Sequence, residues 1–359
     1  MSPPTWVRGE AVLLVLVFAT AALLALAVIF GTSAVLLRYR NQARARRFGR
    51  LEAVWGPLIA SYAADSAPAS TVWEKVEDRD RMHFVRVVMR YAERLRGESR
   101  DRLELLVSPY LDEFAGSLRR ASLEDQALII RVLATSGLDR YASTVVAALD
   151  NRSPLVSMVA ARTLARVGGA DYAPQILARL DRYKNWSRSF LASLLASMGG
   201  DAAPHLRALL ADRSAEPWQR TVAADSLRWL NDVAAHQIAS RVLEEETDRD
   251  LLVQALRLVG RLGNREHGDQ VQRLMGSDDF AVRASAVTTA GQMGIASSLP
   301  RLEEALVHDE SRWVSLHAAR ALGQLGQLGP LKSLADSPHP RARLARQALL
   351  ERGIERWIA

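Results

Sequence analysis

The amino-acid sequence predicts an all-α protein: a right-handed α-α superhelix of stacked helix pairs, preceded by one transmembrane helix. Three observations predict it. A glycine recurs at Gly137, Gly168, Gly199, Gly263, Gly294 and Gly326, at spacings of 31, 31, 64, 31 and 32. An Ala/Leu-rich amphipathic stretch leads up to each of these positions. One run near the N-terminus, Ala11 to Leu37, carries no charge. Composition agrees, with 49% apolar and only 6% aromatic residues, a lean toward Ala and Leu that suits helices. The chain has no cysteine, which excludes a disulfide framework, thiolate metal sites and a cysteine nucleophile.

Residues 1–10 read as a short extracytoplasmic N-terminus. Residues 11–37, AVLLVLVFATAALLALAVIFGTSAVLL, form the transmembrane helix. At about 1.5 Å per residue the run reaches roughly 40 Å, enough to cross a hydrocarbon core of about 30 Å. A helix is the one single-segment solution there, because the backbone must satisfy its own hydrogen bonds. Trp6 and Tyr39 flank the run as interfacial residues do. The leading segment is nearly neutral and the run is long, which argues against a cleaved signal peptide. Residues 38–50 are a basic juxtamembrane collar of Arg38, Arg40, Arg44, Arg46, Arg47 and Arg50. The positive-inside rule then predicts a single-pass cell-membrane protein with its N-terminus outside and the rest cytoplasmic. The six arginines are the expected contacts for anionic lipid headgroups.

The collar also explains the charge. The chain carries a formal +7, but residues 1–50 hold seven arginines and one acid. The remainder carries 40 basic and 39 acidic groups. Nucleic-acid binding needs a basic stripe on the folded surface, so this near-neutral balance argues against it.

Residues 51–122 read as a diverged helical N-terminal cap region. VWGPLIASYAA and RMHFVRVVMRYAERLRG predict helices, SAPAS (66–70) a loop, and DRLELLVSPYLDEFAGSLRRAS two short helices broken at Pro109. Solenoids need capped ends, and this region is expected to seal the first repeat.

Residues 123–359 read as repeats with a C-terminal capping helix, ARLARQALLERGIERW. Each unit is helix, tight turn, helix, linker. The long glycine gap is two periods, and Asn231, the other residue that tolerates a left-handed conformation, stands at its midpoint. Pro174, Pro204, Pro300 and Pro330 open second helices, where a missing N–H costs nothing. Asp150, Asp181, Asp212, Asp278, Asp279 and Asp309 lie in linkers, where they can cap the next helix. One hairpin cannot bury its apolar face alone, so the units must stack.

The units share a D…VRxxAAxALGxLG core, seen best in AVRASAVTTAGQMG (281–294) and WVSLHAARALGQLG (313–326). The pattern resembles the short HEAT-type repeat of HEAT/armadillo-like solenoids, also found in phycobilisome-lyase-like proteins. The resemblance runs from about Leu123 to Leu350 and is weakest over 211–245. It implies that second helices line a concave face. There Gln175, Arg179, Arg207, Gln237, Arg241, Gln270, Arg273 and Arg301 form a polar, mildly basic candidate groove for a protein partner.

Three periodic series need a role. Trp186, Trp218 and Trp313 stand 13 residues before their turn positions, and Arg188, Arg220 and Arg283 stand 11 before. They fit either a partner-binding strip or packing, with the tryptophans covering seams and the arginines paired to linker acids. His205, His236 and His267 are spaced 31 and 31. Successive helices lie about 10 Å apart, which reads as too far for these histidines to share one ion. No catalytic, cofactor-binding or metal-binding constellation is expected. RVGGADY (166–172) follows no strand and reads as a helix end, not a dinucleotide fingerprint.

The reading that follows is a membrane-anchored scaffold or adaptor, not an enzyme, that binds a protein partner. The layout is similar to that of accessory proteins of membrane glycosyltransferases of polysaccharide synthesis. The alternatives are a phycobilisome-lyase-like chromophore lyase and a HEAT-like nucleic-acid-binding protein.

Overall fold

Leucine, alanine and arginine dominate the chain, and all three favour helix. A computed structural model describes residues 5–263 and 265–353, with no side-chain detail for residues 5–17, 19, 21, 22, 34, 41, 44 and 265. Among the described residues every regular element is helical. The chain divides into two units, Met1–Asp112 and Glu113–Ala359.

The first unit opens with α1, Thr5–Ala63, a single helix of 59 residues. At the helical rise it is about 90 Å long. The collar does not end it. Residues 38–50 contain no glycine or proline before Gly49, and Pro57 sits inside the helix without stopping it. The helix is therefore one rod across what the sequence divides at positions 37 and 50. From Phe18 to Tyr39 its described large apolar side chains are exposed, Phe18 at 72% and Phe30 at 69%. The segment is long and apolar enough to cross a membrane by length and composition.

The end of α1 is instead a core element. Trp55 and Ile59 are fully buried. They pack with α2 (Ala69–Trp73), α3 (Arg81–Ala92) and α4 (Glu98–Leu106). Burying each such side chain contributes about 1.5–3 kcal/mol. Trp55 meets Phe84 edge to face at 5.3 Å, and its Nε1 donates to the Lys75 carbonyl. The SAPAS segment is only partly a loop, because α2 begins at Ala69. Pro109 breaks the next stretch as expected, with α5 (Leu111–Ser117) following it.

The second unit is a series of helix pairs. The first pair is fused in α6 (Leu123–Ala147), which kinks at Gly137. Then come α7 (Pro154–Val167) with α8 (Ala173–Leu177), α9 (Arg188–Ala196) with α10 (Ala203–Ala211), and α11 (Pro217–Leu230) with α12 (Ala235–Glu245). They are followed by α13 (Arg249–Leu262) with α14 (Gly268–Leu274), α15 (Phe280–Met293) with α16 (Leu299–His308), and α17 (Arg312–Gln324) with α18 (Leu328–Ala335). The helix α19 (Ala342–Glu351) packs on α17 and α18. The last four residues of the expected capping helix, 354–357, and the two that follow it lie outside the described residues, as do residues 1–4 of the expected N-terminus.

First helices α9, α11, α13, α15 and α17 form one layer, and second helices α10, α12 and α14 pack in another. Small, fully buried side chains line the interface. Ala223, Ala255, Ala286 and Ala318 are each wholly enclosed. Gly291 lets α15 approach α17 still closer, since a Cβ there would stand 2.8 Å from the Ala321 backbone.

The turns are partly as predicted. Gly199, Gly294, Gly326 and Asn231 all have positive φ, Asn231 at φ 53° and ψ 39°. Gly168 is corrected: it stays right-handed, and the neighbouring Gly169 takes φ 60°. Gly263 is extended at φ −75°. Pro174, Pro204 and Pro300 stand in the first turns of α8, α10 and α16. Of the linker aspartates only Asp279 caps the following helix, accepting from the Ala281 and Val282 amides. Others are drawn into interactions with neighbouring repeats, and Ser122, Glu216 and Asp248 cap α6, α11 and α13 instead.

Candidate protein-binding surface

The second-helix layer holds the eight residues expected to form a basic groove. Most of them are spent within the fold. Arg179 forms a two-pronged pair with Asp150 at 2.9 and 2.8 Å. Arg207 pairs with Asp232 at 2.7 Å. Gln270 donates to Glu244 at 2.7 Å. Arg273 donates to the Leu243 carbonyl at 2.6 Å, and Arg301 to the Gln272 carbonyl, so both tie a second helix to the one before it. The Arg179 guanidinium bonds the Gln175 carbonyl, and the Gln175 amide faces the Asp171 and Tyr172 carbonyls. Gln237 and Arg241 alone stand exposed with no polar partner among the described residues.

A groove of about 650 Å³ does run along α14 and α16. Arg273 and Arg301 face it, but so do Asp269, Glu304 and Asp309. The expected mild basicity is corrected: interspersed carboxylates neutralise this strip.

The Arg series is architecture in two of three units. Arg220 is buried and pairs with Glu246 at 2.6 Å, while its Nε donates to the Leu210 carbonyl. Arg283 pairs with Asp309 at 2.8 Å and bonds the Ser277 carbonyl. Both acids lie 26 residues after their arginine, in the next linker. Burial works to raise the Glu246 carboxyl, but the Thr247 and Asp248 amides and the Arg220 guanidinium hold it below its usual range. At Arg188 the position 26 residues on is Ser214, which offers no charge, so Arg188 reaches Asp250 instead at 2.5 Å.

The Trp series divides. Trp186 stacks on Phe190 at 5.5 Å, and Trp218 donates to Glu216. Trp313 is 55% exposed and meets the His317 ring edge to face at 4.9 Å.

The histidine expectation is corrected. His236 Nδ1 and His267 Nε2 stand 2.8 Å apart, one donating to the other. The helix spacing does not keep them apart, because both imidazoles extend into the seam between α12 and the turn before α14. Burial first, then the neighbouring His236, pushes the His267 imidazole below its usual range. Among the described residues no three His, Asp or Glu side chains gather as a metal site.

The collar is also revised. One guanidinium nitrogen of Arg47 donates to both carboxylate oxygens of Asp80, at 2.7 and 2.8 Å. Asp80 is 3% exposed, and a buried carboxylate needs a partner. Arg47 is therefore a packing residue. Arg38, Arg40, Arg46 and Arg50 remain exposed, and the Arg44 side chain lies outside the described detail.

The pattern pointed to second helices and so missed the outer side of the first-helix layer. There α13, α15 and α17 enclose a second groove, of about 490 Å³, lined by Arg228, Arg257, Arg261, Thr288, Trp313 and His317 among others. A signal existed. Arg257 and Arg261 are spaced i, i+4, and Ala281, Ala284, Ser285 and Thr288 put only small side chains on one side of α15.

Residues 238–323 and 270–351 match the family model for HEAT repeats. No curated protein matches the chain in sequence. Among solved structures, a mutant of the karyopherin Kap121p is 14% identical at a TM-score of 0.48, covering 86% of this chain and 42% of that one. Kap121p bound to Pho4p is 13% identical at 0.41, covering 81% and 43%. Human deoxyhypusine hydroxylase in complex with glycerol is 19% identical at 0.26, covering 60% and 96%. The chain thus spans about two-fifths of the length of the karyopherins.

Proposed function

We propose that this protein is a membrane-tethered scaffold whose HEAT-type repeats hold a protein partner at the cytoplasmic face of the cell membrane. The observation that carries the tether is the exposed apolar stretch of α1, continuous with a helix whose far end is buried in the first unit. A run of side chains such as Leu23, Leu24, Ile29, Phe30 and Leu36, all more than half exposed, is costly in water and stable in a bilayer. Arg38, Arg40, Arg46 and Arg50 support the orientation, with the repeats on the positive side, and supply contacts for anionic headgroups. Tethering raises the effective concentration of the repeats for other membrane proteins without any new contact. The partner proposed is itself membrane-bound, of the kind represented by the glycosyltransferases of polysaccharide synthesis.

The absence of cysteine makes a clean test possible. Single variants Ser2→Cys and Glu303→Cys are labelled in intact cells with a membrane-impermeant maleimide. The tether predicts that both variants sediment with membranes and resist carbonate extraction. It also predicts that Ser2→Cys labels directly and Glu303→Cys only after permeabilisation. Release by carbonate, or direct labelling of Glu303→Cys, contradicts it.

A further inference from the structure

The groove on the first-helix layer differs from the one on the second-helix layer in charge. Its floor is α15, where Ala281, Ala284, Ser285 and Thr288 rise little above the helix backbone. Arg257 and Arg261 of α13 form one wall, and Trp313 and His317 of α17 form the other. Arg228 of α11 also lines the groove. Among the described residues no carboxylate lines it.

The three arginines are not equally committed. Arg228 is paired with Asp225 at 2.5 Å. Arg261 donates to the neutral Asn231 side chain at 2.7 Å. Arg257 is exposed and has no ion pair among the described residues. His317 exchanges a hydrogen bond with Thr288 at 2.8 Å, and burial, then Arg320 and Arg257, push its imidazole down, so it adds no charge at neutral pH. An exposed indole beside unneutralised guanidinium groups, over a shallow floor of small side chains, is the composition of a binding hot spot.

We infer that this groove seats an acidic amphipathic helix of the partner protein. A helix can approach a floor of alanine and serine closely, as helices do where small side chains meet. Its apolar anchor packs on Trp313, and its flanking carboxylates bond Arg257 and Arg261 as charge-assisted pairs. A nucleic-acid strand fits less well. Outside residues 1–50 the chain carries 40 basic and 39 acidic groups, which leaves little net charge to hold a phosphate backbone. This inference rests on the reading of the chain as a protein-binding scaffold and assigns that binding to the first-helix layer.

The test uses the full chain in detergent micelles. A displayed library of amphipathic helical peptides, with flanking positions varied among Glu, Gln and Lys, is selected on it, and enriched peptides are titrated by fluorescence anisotropy. Enrichment of Glu at the flanks is expected. Arg257→Glu with Arg261→Glu should weaken binding by at least about tenfold, the scale of one lost charge-assisted contact. Arg257→Glu breaks no ion pair, so unchanged helicity by circular dichroism checks its folding. Gln237→Ala with Arg241→Ala, on the other layer and without polar partners among the described residues, should leave affinity unaltered. No enrichment, enrichment of Gln or Lys, or indifference to Arg257→Glu overturns the inference. So does tighter binding of a short DNA or RNA duplex that the same variant abolishes. If the Arg257→Glu chain still crosslinks to a protein partner in cells through α14 or α16, the assignment to this face falls and the scaffold reading survives.

Discussion

Single residues decide whether a seam between repeats is structural or free, and burial is what separates the cases. Arg220 and Arg188 occupy equivalent positions, yet Arg220 is 8% exposed while the Arg188 pair lies open to solvent. Arg220→Ala leaves the Leu210 carbonyl and much of Glu246 without their donor inside the fold. It should destabilise by about 3 kcal/mol, as breaking one side of a buried pair does. Arg188→Ala should cost under about 1 kcal/mol, the range of surface pairs. Urea titration of the two variants checks the contrast. The histidines give a pH dependence of definite sign. Burial lowers both His267 and His317, so their neutral forms are the stable ones in the folded chain. Beside His236, Glu266 and Glu244 for one, and Arg320, Arg257 and Glu351 for the other, the net effect is downward. Their contribution is full above the ordinary histidine value of about 6.5 and is lost as pH falls below it toward the lowered folded values. The Tm is expected to fall between about pH 7 and about pH 5, and His267→Asn with His317→Asn should flatten that slope.

At the scale of elements, the repeat period was legible because each unit re-uses one turn and one buried seam. Asn231 could be identified as the missing glycine because left-handed backbone admits few other residues. The pairing of Arg220 and Arg283 with linker acids was equally open to view. Three things were not. Helix α1 runs through the change from apolar to basic to amphipathic composition, and even through Gly56 and Pro57, so no local signal marks where it ends. The pairing of Arg47 with Asp80 spans 33 residues and depends on burial that no local pattern announces. The spent arginines of the second-helix layer looked free because hydrogen bonds to carbonyls, such as Arg273 to Leu243, leave no charge complement in the sequence. A second glycine register was also passed over. Gly260 and Gly291 stand three before the turn glycines and set the spacing of first helices. Gly291→Ala drives a Cβ against the Ala321 backbone and should cost about 1–3 kcal/mol, offset in part by helix propensity. At Gly260 a Cβ would meet the end of the Gln292 side chain at 2.5 Å, which can swing aside, and the buried Thr289 side chain at 3.2 and 3.3 Å, which must give by a few tenths of an ångström, so Gly260→Ala should cost less than Gly291→Ala. Thermal unfolding of the pair distinguishes steric spacing from a general glycine effect.

Over the whole molecule, the proposed tether and the proposed scaffold need each other. A HEAT-type array alone offers surface without address, and an apolar helix alone offers address without surface. The near-neutral charge of residues 51–359 leaves partner choice to local features such as the groove over α15, and confines strong basicity to the collar. Deleting residues 2–37 keeps the part of α1 that packs in the first unit, so folding of the remainder is expected to persist while membrane association is lost. The most direct measurement is crosslinking in cells followed by mild-detergent purification of the full chain and of this deletion. The account predicts one membrane protein recovered with the full chain in stoichiometric amount, and its loss or strong depletion with the deletion. Equal recovery from both chains, or no specific protein from either, would contradict it.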